Sequence, residues 1–142
     1  SRLLDKLSFG GYTKRIAEVR TSSDWLSRDT KNVDKYIADP FCGFIFTASG
    51  FKDVSTMMRF VSTKQWANSI KKELPIFLIS GEADPVGEYG VGVKKVAQML
   101  KNSGVKDSTL KLYAGGRHEI LNETNYKDVY EDIFAWLLVK VK

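Results

Sequence analysis

The sequence predicts an α/β protein organised on a short parallel sheet, and three observations carry that reading. Ile76-Phe77-Leu78-Ile79 is an apolar run without alternation, bounded by Pro75 and Gly81. Such a run suits a strand covered on both faces, as in a parallel sheet. A helical stripe follows at Val93, Val96, Ala97 and Leu100, and a second strand at Thr109–Tyr113. A last helix carries Val129, Ile133, Phe134, Trp136, Leu137 and Val141 on its stripe. Residues 75–142 therefore read strand, helix, strand, helix: a βαβ unit, right-handed by the general rule, with a trailing helix.

The elements before this unit are shorter. Leu3, Leu4 and Leu7 mark a helix that Gly10-Gly11 interrupts, and residues 12–19 suggest a second short segment. Residues 22–29 form a polar turn region holding the apolar pair Trp25-Leu26. Thr30 is the expected N-cap of a helix bearing Val33, Tyr36 and Ile37. Asp39-Pro40 ends that helix, because a residue before proline avoids the α region. Phe41 to Ala48 is apolar and aromatic, and an extended or irregular buried segment is expected. Residues 51–74 read as one long helix or two abutting ones. Met57, Met58 and Val61 lie on one face, and Trp66, Ile70 and Leu74 on a later one, at core spacing. After the first strand, Pro85 and Gly87 lead into the next helix. Gly104 is that helix's C′ residue, and Lys101 suits its dipole. Thr124 or Asn125 caps the last helix.

Composition excludes several function classes. A chain of 142 residues can bury one core, and 43% hydrophobic with 27% charged residues excludes a disordered chain. No apolar run approaches the length of a bilayer span. A lone Cys42 excludes an internal disulfide and suits a reducing compartment, so a cytoplasmic location is expected. The net charge of +5 comes from scattered lysines, with pairs at Lys71-Lys72 and Lys94-Lys95. No aromatics interleave with them, which argues against a nucleic-acid platform. With one histidine and no ligand-spaced partner, a metal site is not expected, and no cofactor is implied.

Asp84 follows the first strand and His118, inside a Gly-Gly turn, follows the second. Parallel neighbours point the same way, so both side chains emerge at one sheet edge, where α/β proteins gather functional groups. A carboxylate there can accept the imidazole N–H, fix its tautomer and support the imidazolium. Each residue alone also fits a plain role, an Asp in a turn before Pro and a surface His. Glu119 and Glu123 flank the His turn. Trp25 and Arg28 either anchor their segment or face a substrate. Gly90-Val91-Gly92 departs from a phosphate-loop pattern, and Asp84 and Glu88 would repel phosphate. A Cys42–His118 dyad is weaker than a small buried thiol.

An acid after one strand, then helix, strand and His, follows the order of the last third of an α/β-hydrolase. Four stretches narrow this: Ser80-Gly81-Glu82-Ala83-Asp84-Pro85-Val86-Gly87, Gly116-Arg117-His118-Glu119-Ile120-Leu121-Asn122-Glu123, Asp24-Trp25-Leu26-Ser27-Arg28-Asp29 and Asp39-Pro40-Phe41-Cys42-Gly43-Phe44. Together they resemble bacterial lysophospholipase or monoacylglycerol-lipase-like hydrolases, also described as the serine aminopeptidase S33 type. The resemblance runs from about Phe9 onward. It implies that Asp84 is the acid and His118 the base of a catalytic triad, acting on a small lipid-like ester. It also implies that residues 1–50 belong to a cap shaping the acyl pocket, and 51–142 to the carboxyl-terminal part of the core.

One departure matters. The nucleophile elbow Gly-x-Ser-x-Gly is absent, and the nearest string, Lys6-Leu7-Ser8-Phe9-Gly10, lacks the first Gly and follows no strand. In such hydrolases the elbow precedes the cap, so the serine and the oxyanion amides are expected upstream of residue 1. The expectation is a carboxyl-terminal portion holding two triad members, inactive alone. Two strands are too few for this many helices, and their open edge invites the missing amino-terminal half or a second copy. The alternative is a non-catalytic α/β-hydrolase-derived binding or dimerisation module.

Overall fold

The computed structural model describes residues 1–140. Two strands form, β1 (Ile76–Gly81) and β2 (Ser108–Tyr113), paired in parallel from Ile76 opposite Ser108 to Gly81 opposite Tyr113. The helix between them, α5 (Val91–Asn102), spans the interval that the Val93–Leu100 stripe marked. Its end shows why Gly104 is needed. Gly104 takes φ +91°, its N–H donates to Lys101 O, and Val105 N–H donates to Leu100 O. This double closure satisfies the last carbonyls and brings Val105 against the final turn, where Leu100 and Val105 are both buried.

Alternation along β2 assigns the two faces. Leu112 meets the start of α5, close enough that a Cβ on Gly90 would lie 2.9 Å from it. The other face packs on α6 (Tyr126–Lys140): Tyr113, Val129 and Ile120 form a buried cluster with Ile79 and Ile133 against it. Phe77 and Trp136 stack at 5.4 Å on the same side, and Tyr113 Oη donates to Asp132. Helices thus lie on both sides of the pair, as a parallel sheet requires.

The last helix corrects the width of its stripe. Val129, Ile133 and Trp136, spaced i, i+4 and i+7, turn inward, whereas Phe134 and Leu137 are exposed. One helix face covers a limited arc, and nothing among the described residues lies over the second one. Val141 lies outside the described residues. Asn125 stands just before this helix, but its side-chain oxygen accepts Arg28 Nη2.

Upstream lie α1 (Arg2–Phe9), α2 (Thr30–Ala38), α3 (Ala48–Val61) and α4 (Lys64–Ser69), with turns between Gly10 and Leu26. The N-cap of α2 is Asp29, not Thr30: its carboxylate accepts the Lys31 N–H at 2.9 Å, and Thr30 is the first helical residue. Asp39 is extended, as the proline after it demands. Residues 51–74 resolve into two helices, which break at Ser62-Thr63, where Thr63 caps α4. The α3 helix runs across residue 50, the expected end of the cap.

Two expectations of burial fail here. Phe41 is 85% exposed, and Phe44, Ile45, Met57 and Met58 are also exposed. Hydrophobicity and period identify a face that wants cover without saying which part of the chain supplies it. Among the described residues none covers this one.

Candidate active site

The parallel register delivers two loops to one edge, and their fit depends on glycine. A Cβ on Gly81 would lie 2.1 Å from Gly116 O and 2.3 Å from Arg117 O. No larger residue leaves room for the second loop to cross the end of β1 at this distance. Backbone bonds then join the loops, with Glu82 N–H donating to Tyr113 O and Ala83 N–H to Gly116 O. This crossing places Asp84 beside His118.

Asp84 is 6% exposed. Its Oδ1 accepts the Val86 N–H at 2.8 Å, and both its oxygens lie 3.2 Å from His118 Nδ1. Its main-chain carbonyl accepts the Tyr89 N–H at 2.8 Å. Glu88 and Tyr89 hold φ of +51° and +56° and Gly90 +83°, so three successive left-handed residues turn the chain from Asp84 into α5. Positive φ on two side-chain-bearing residues stores backbone strain, which the surrounding bonds must hold. The His118 side chain is 38% exposed, and Nε2 has no hydrogen-bond partner among the described residues. The hydrogen bond that the ring N–H donates to Asp84 raises the His118 pKa above its usual 6.5, against burial, with further help from the Asp84 and Glu119 charges. Asp84 therefore occupies one ring nitrogen and leaves the other, the more basic for it, facing outward.

The segment from Thr21 to Arg28 closes over the His loop. Trp25 O accepts the His118 N–H at 3.3 Å, and Leu26 O accepts the Glu119 N–H at 2.7 Å. The Trp25 ring stands 5.1 Å from the imidazole and also packs against Phe9 and Tyr12. Arg117 Nη1 donates to Asp24 O and Ser27 O. Tyr12 completes the surround: burial and then the Asp84 charge push its phenol pKa up. Arg28, left open between anchor and substrate contact, is an anchor, pairing with Glu123 at 2.9 Å.

Glu123 is the residue the sequence reading missed as a structural centre. It is 1% exposed, and four N–H groups converge on its carboxylate. A sequence-level sign did exist: a carboxylate just past the His turn and an arginine in the Asp-Trp-Leu-Ser-Arg-Asp string. Their separation of 95 positions hid the pairing. Cys42 forms no dyad with His118 among the described residues. Burial, then the Asp39 and Glu119 carboxylates, pushes its thiol pKa up, away from a reactive thiolate. The groups that could hold a metal ion need three His, Cys, Asp or Glu together, and none occur among the described residues.

Comparison with known proteins identifies the family and the fold. The model of the family described as serine aminopeptidase, S33, matches residues 1–125. A thermostable carboxyl esterase from Bacillus coagulans, solved with glycerol, is 30% identical over 99% of this chain and 46% of its own, with a TM-score of 0.89. A lipase in open form is 26% identical over 97% of this chain and 44% of its own, at TM-score 0.85. A monoacylglycerol lipase from Paleococcus ferrophilus shares the fold at TM-score 0.65 and 24% identity, over 95% of this chain and 52% of its own. The chain spans about half the length of each of these structures. No curated protein matches it. The two parallel strands and their helices match the carboxyl-terminal part of an α/β-hydrolase, and the chain belongs to the serine aminopeptidase S33 family.

Proposed function

We propose that this chain carries the acid and the base of a Ser-His-Asp hydrolase of carboxylic esters, Asp84 and His118, with the serine on chain outside residues 1–142. The observation behind the proposal is the bond pattern of His118. Asp84 holds Nδ1, so the tautomer with a free Nε2 lone pair faces outward from a partly covered ring. That is the arrangement a general base needs. His118 Nε2 takes the serine hydroxyl proton as the oxygen attacks the ester carbonyl. It returns that proton to the departing alcohol, leaving an acyl-enzyme. Water then repeats the sequence, with Nε2 again as base, and the acid is released. Asp84 stays ionised throughout and stabilises the imidazolium.

Esters are preferred to amides here because of the likeness to a carboxyl esterase at 30% identity. The exposed Phe41, Phe44, Ile45, Met57 and Met58 supply an apolar surface suited to a lipid-like monoacyl substrate. Residues 1–50 serve as part of the cap and 51–142 as part of the core. The outer edge of β1 pairs with the amino-terminal half or, failing that, with a second copy. No helix among the described residues is long and apolar enough to cross a membrane.

The test uses the full-length protein and a soluble p-nitrophenyl ester. His118→Ala is expected to lower turnover by about 10³-fold or more. A loss below about tenfold removes His118 from the mechanism. A full gene with no strand followed by Gly-x-Ser-x-Gly ahead of residue 1 also overturns the proposal, in favour of a binding module.

A further inference from the structure

We propose that Glu123 is a positioning residue for His118, holding the His loop and the 24–28 segment at one fixed distance. This rests on the reading of His118 as general base, but its geometry can be tested separately. Glu123 Oε1 accepts the Arg117 N–H at 2.9 Å and the Arg28 N–H at 3.1 Å. Oε2 accepts Arg28 Nε at 2.9 Å and the Thr124 N–H at 3.0 Å. One carboxylate therefore binds the residue immediately before His118. It also binds the segment whose Trp25 and Leu26 carbonyls receive the His118 and Glu119 N–H groups.

The network is closed around this carboxylate. The Arg28 fork continues through Nη2 to Asn125 Oδ1. Ser27 Oγ donates to Asn122 O, and the Arg117 guanidinium returns to Asp24 O and Ser27 O. Four donors on two oxygens cannot be matched by a neutral amide, which offers one oxygen and turns two N–H groups toward other N–H groups. Among the described residues Arg28 is the cation paired with this buried charge, so the pair is costly to break from either side. A carboxylate built only to stabilise the turn needs the Thr124 and Arg117 bonds. The two bonds to Arg28 instead tie the turn to a segment 95 positions away that packs Trp25 on the imidazole.

The inference makes Glu123 act through main-chain placement and the Trp25 ring, without touching substrate. Loosening it lets the imidazole drift from Asp84, which weakens the Nδ1 bond and lowers kcat more than binding.

The experiment compares full-length wild type, Glu123→Gln and Arg28→Lys, with Leu100→Ala as a stability control far from the site. His118 titration is followed by NMR of the labelled imidazole, and kcat and KM are measured on a soluble ester. Glu123→Gln is expected to move the His118 titration to lower pH and to cut kcat about 100-fold with KM changed less than about threefold. Arg28→Lys keeps the charge but loses the fork, and is expected to shift both readouts in the same direction by less. It decides the matter if Glu123→Gln does not fold. Leu100→Ala is expected to lower Tm and move neither. Folded variants with unchanged His118 titration and unchanged kcat overturn the proposal, as does an equal shift in Leu100→Ala. If His118→Ala keeps its activity, the catalytic reading fails while the titration still decides the positioning role.

Discussion

The site edge and the stretch from Phe41 to Val61 are opposites. At the edge, Asp24, Ser27, Ser80, Asp84 and Glu123 are all buried, and the carboxylates meet their donors inside the chain. Along 41–61, Phe41, Phe44, Met57, Met58 and Phe60 are more than half exposed. Polar groups are therefore covered and satisfied locally, while apolar ones face outward. That inverts the usual distribution of burial, and it separates two kinds of dependence. The edge is held by bonds that this chain completes itself. The apolar stretch needs something else to cover it, a substrate or another surface.

The sharpest way to break that contrast is at Gly81. Gly81→Ala drives a methyl into Gly116 O and Arg117 O, so the two loops must part. The expected cost is about 3 kcal/mol in urea unfolding, with loss of the Asp84–His118 contact. A cost under about 0.5 kcal/mol would show that the loops do not cross this closely. The matching change in the other region is Met57→Ser, at a residue 61% exposed. In the 142-residue chain it is expected to alter stability by less than about 0.5 kcal/mol. A loss several times larger would mean that Met57 is covered, and the contrast would collapse.

What the sequence disclosed follows the same division. Both strands and the helix between them were legible because their signals are local: an unbroken apolar run, a stripe of period 3.6, a glycine that must take positive φ. Asp84 and His118 were legible as a pair because parallel neighbours deliver their carboxyl ends, and the short loops that follow Gly81 and Tyr113, to one edge. Glu123 was not, since its partner Arg28 lies 95 positions away and no period links them. The Thr30 cap slipped by one residue because Asp29 and Thr30 are both good caps and only backbone geometry chooses. Phe41–Ala48 was expected inside for its hydrophobicity, which states a preference for cover but not the presence of any. The same error widened the stripe of α6 to include Phe134 and Leu137.

The central claim is that Asp84 holds His118 as a general base, and the pH dependence of kcat/KM in the full-length protein tests it most directly. Asp84 raises the His118 pKa, so the neutral, basic imidazole is lost as pH falls through a value above 6.5. The acid limb of the profile is expected above pH 6.5 in wild type, and in Asp84→Asn it should move to lower pH as rate is lost. An acid limb below 6.5 that Asp84→Asn leaves in place would contradict the account.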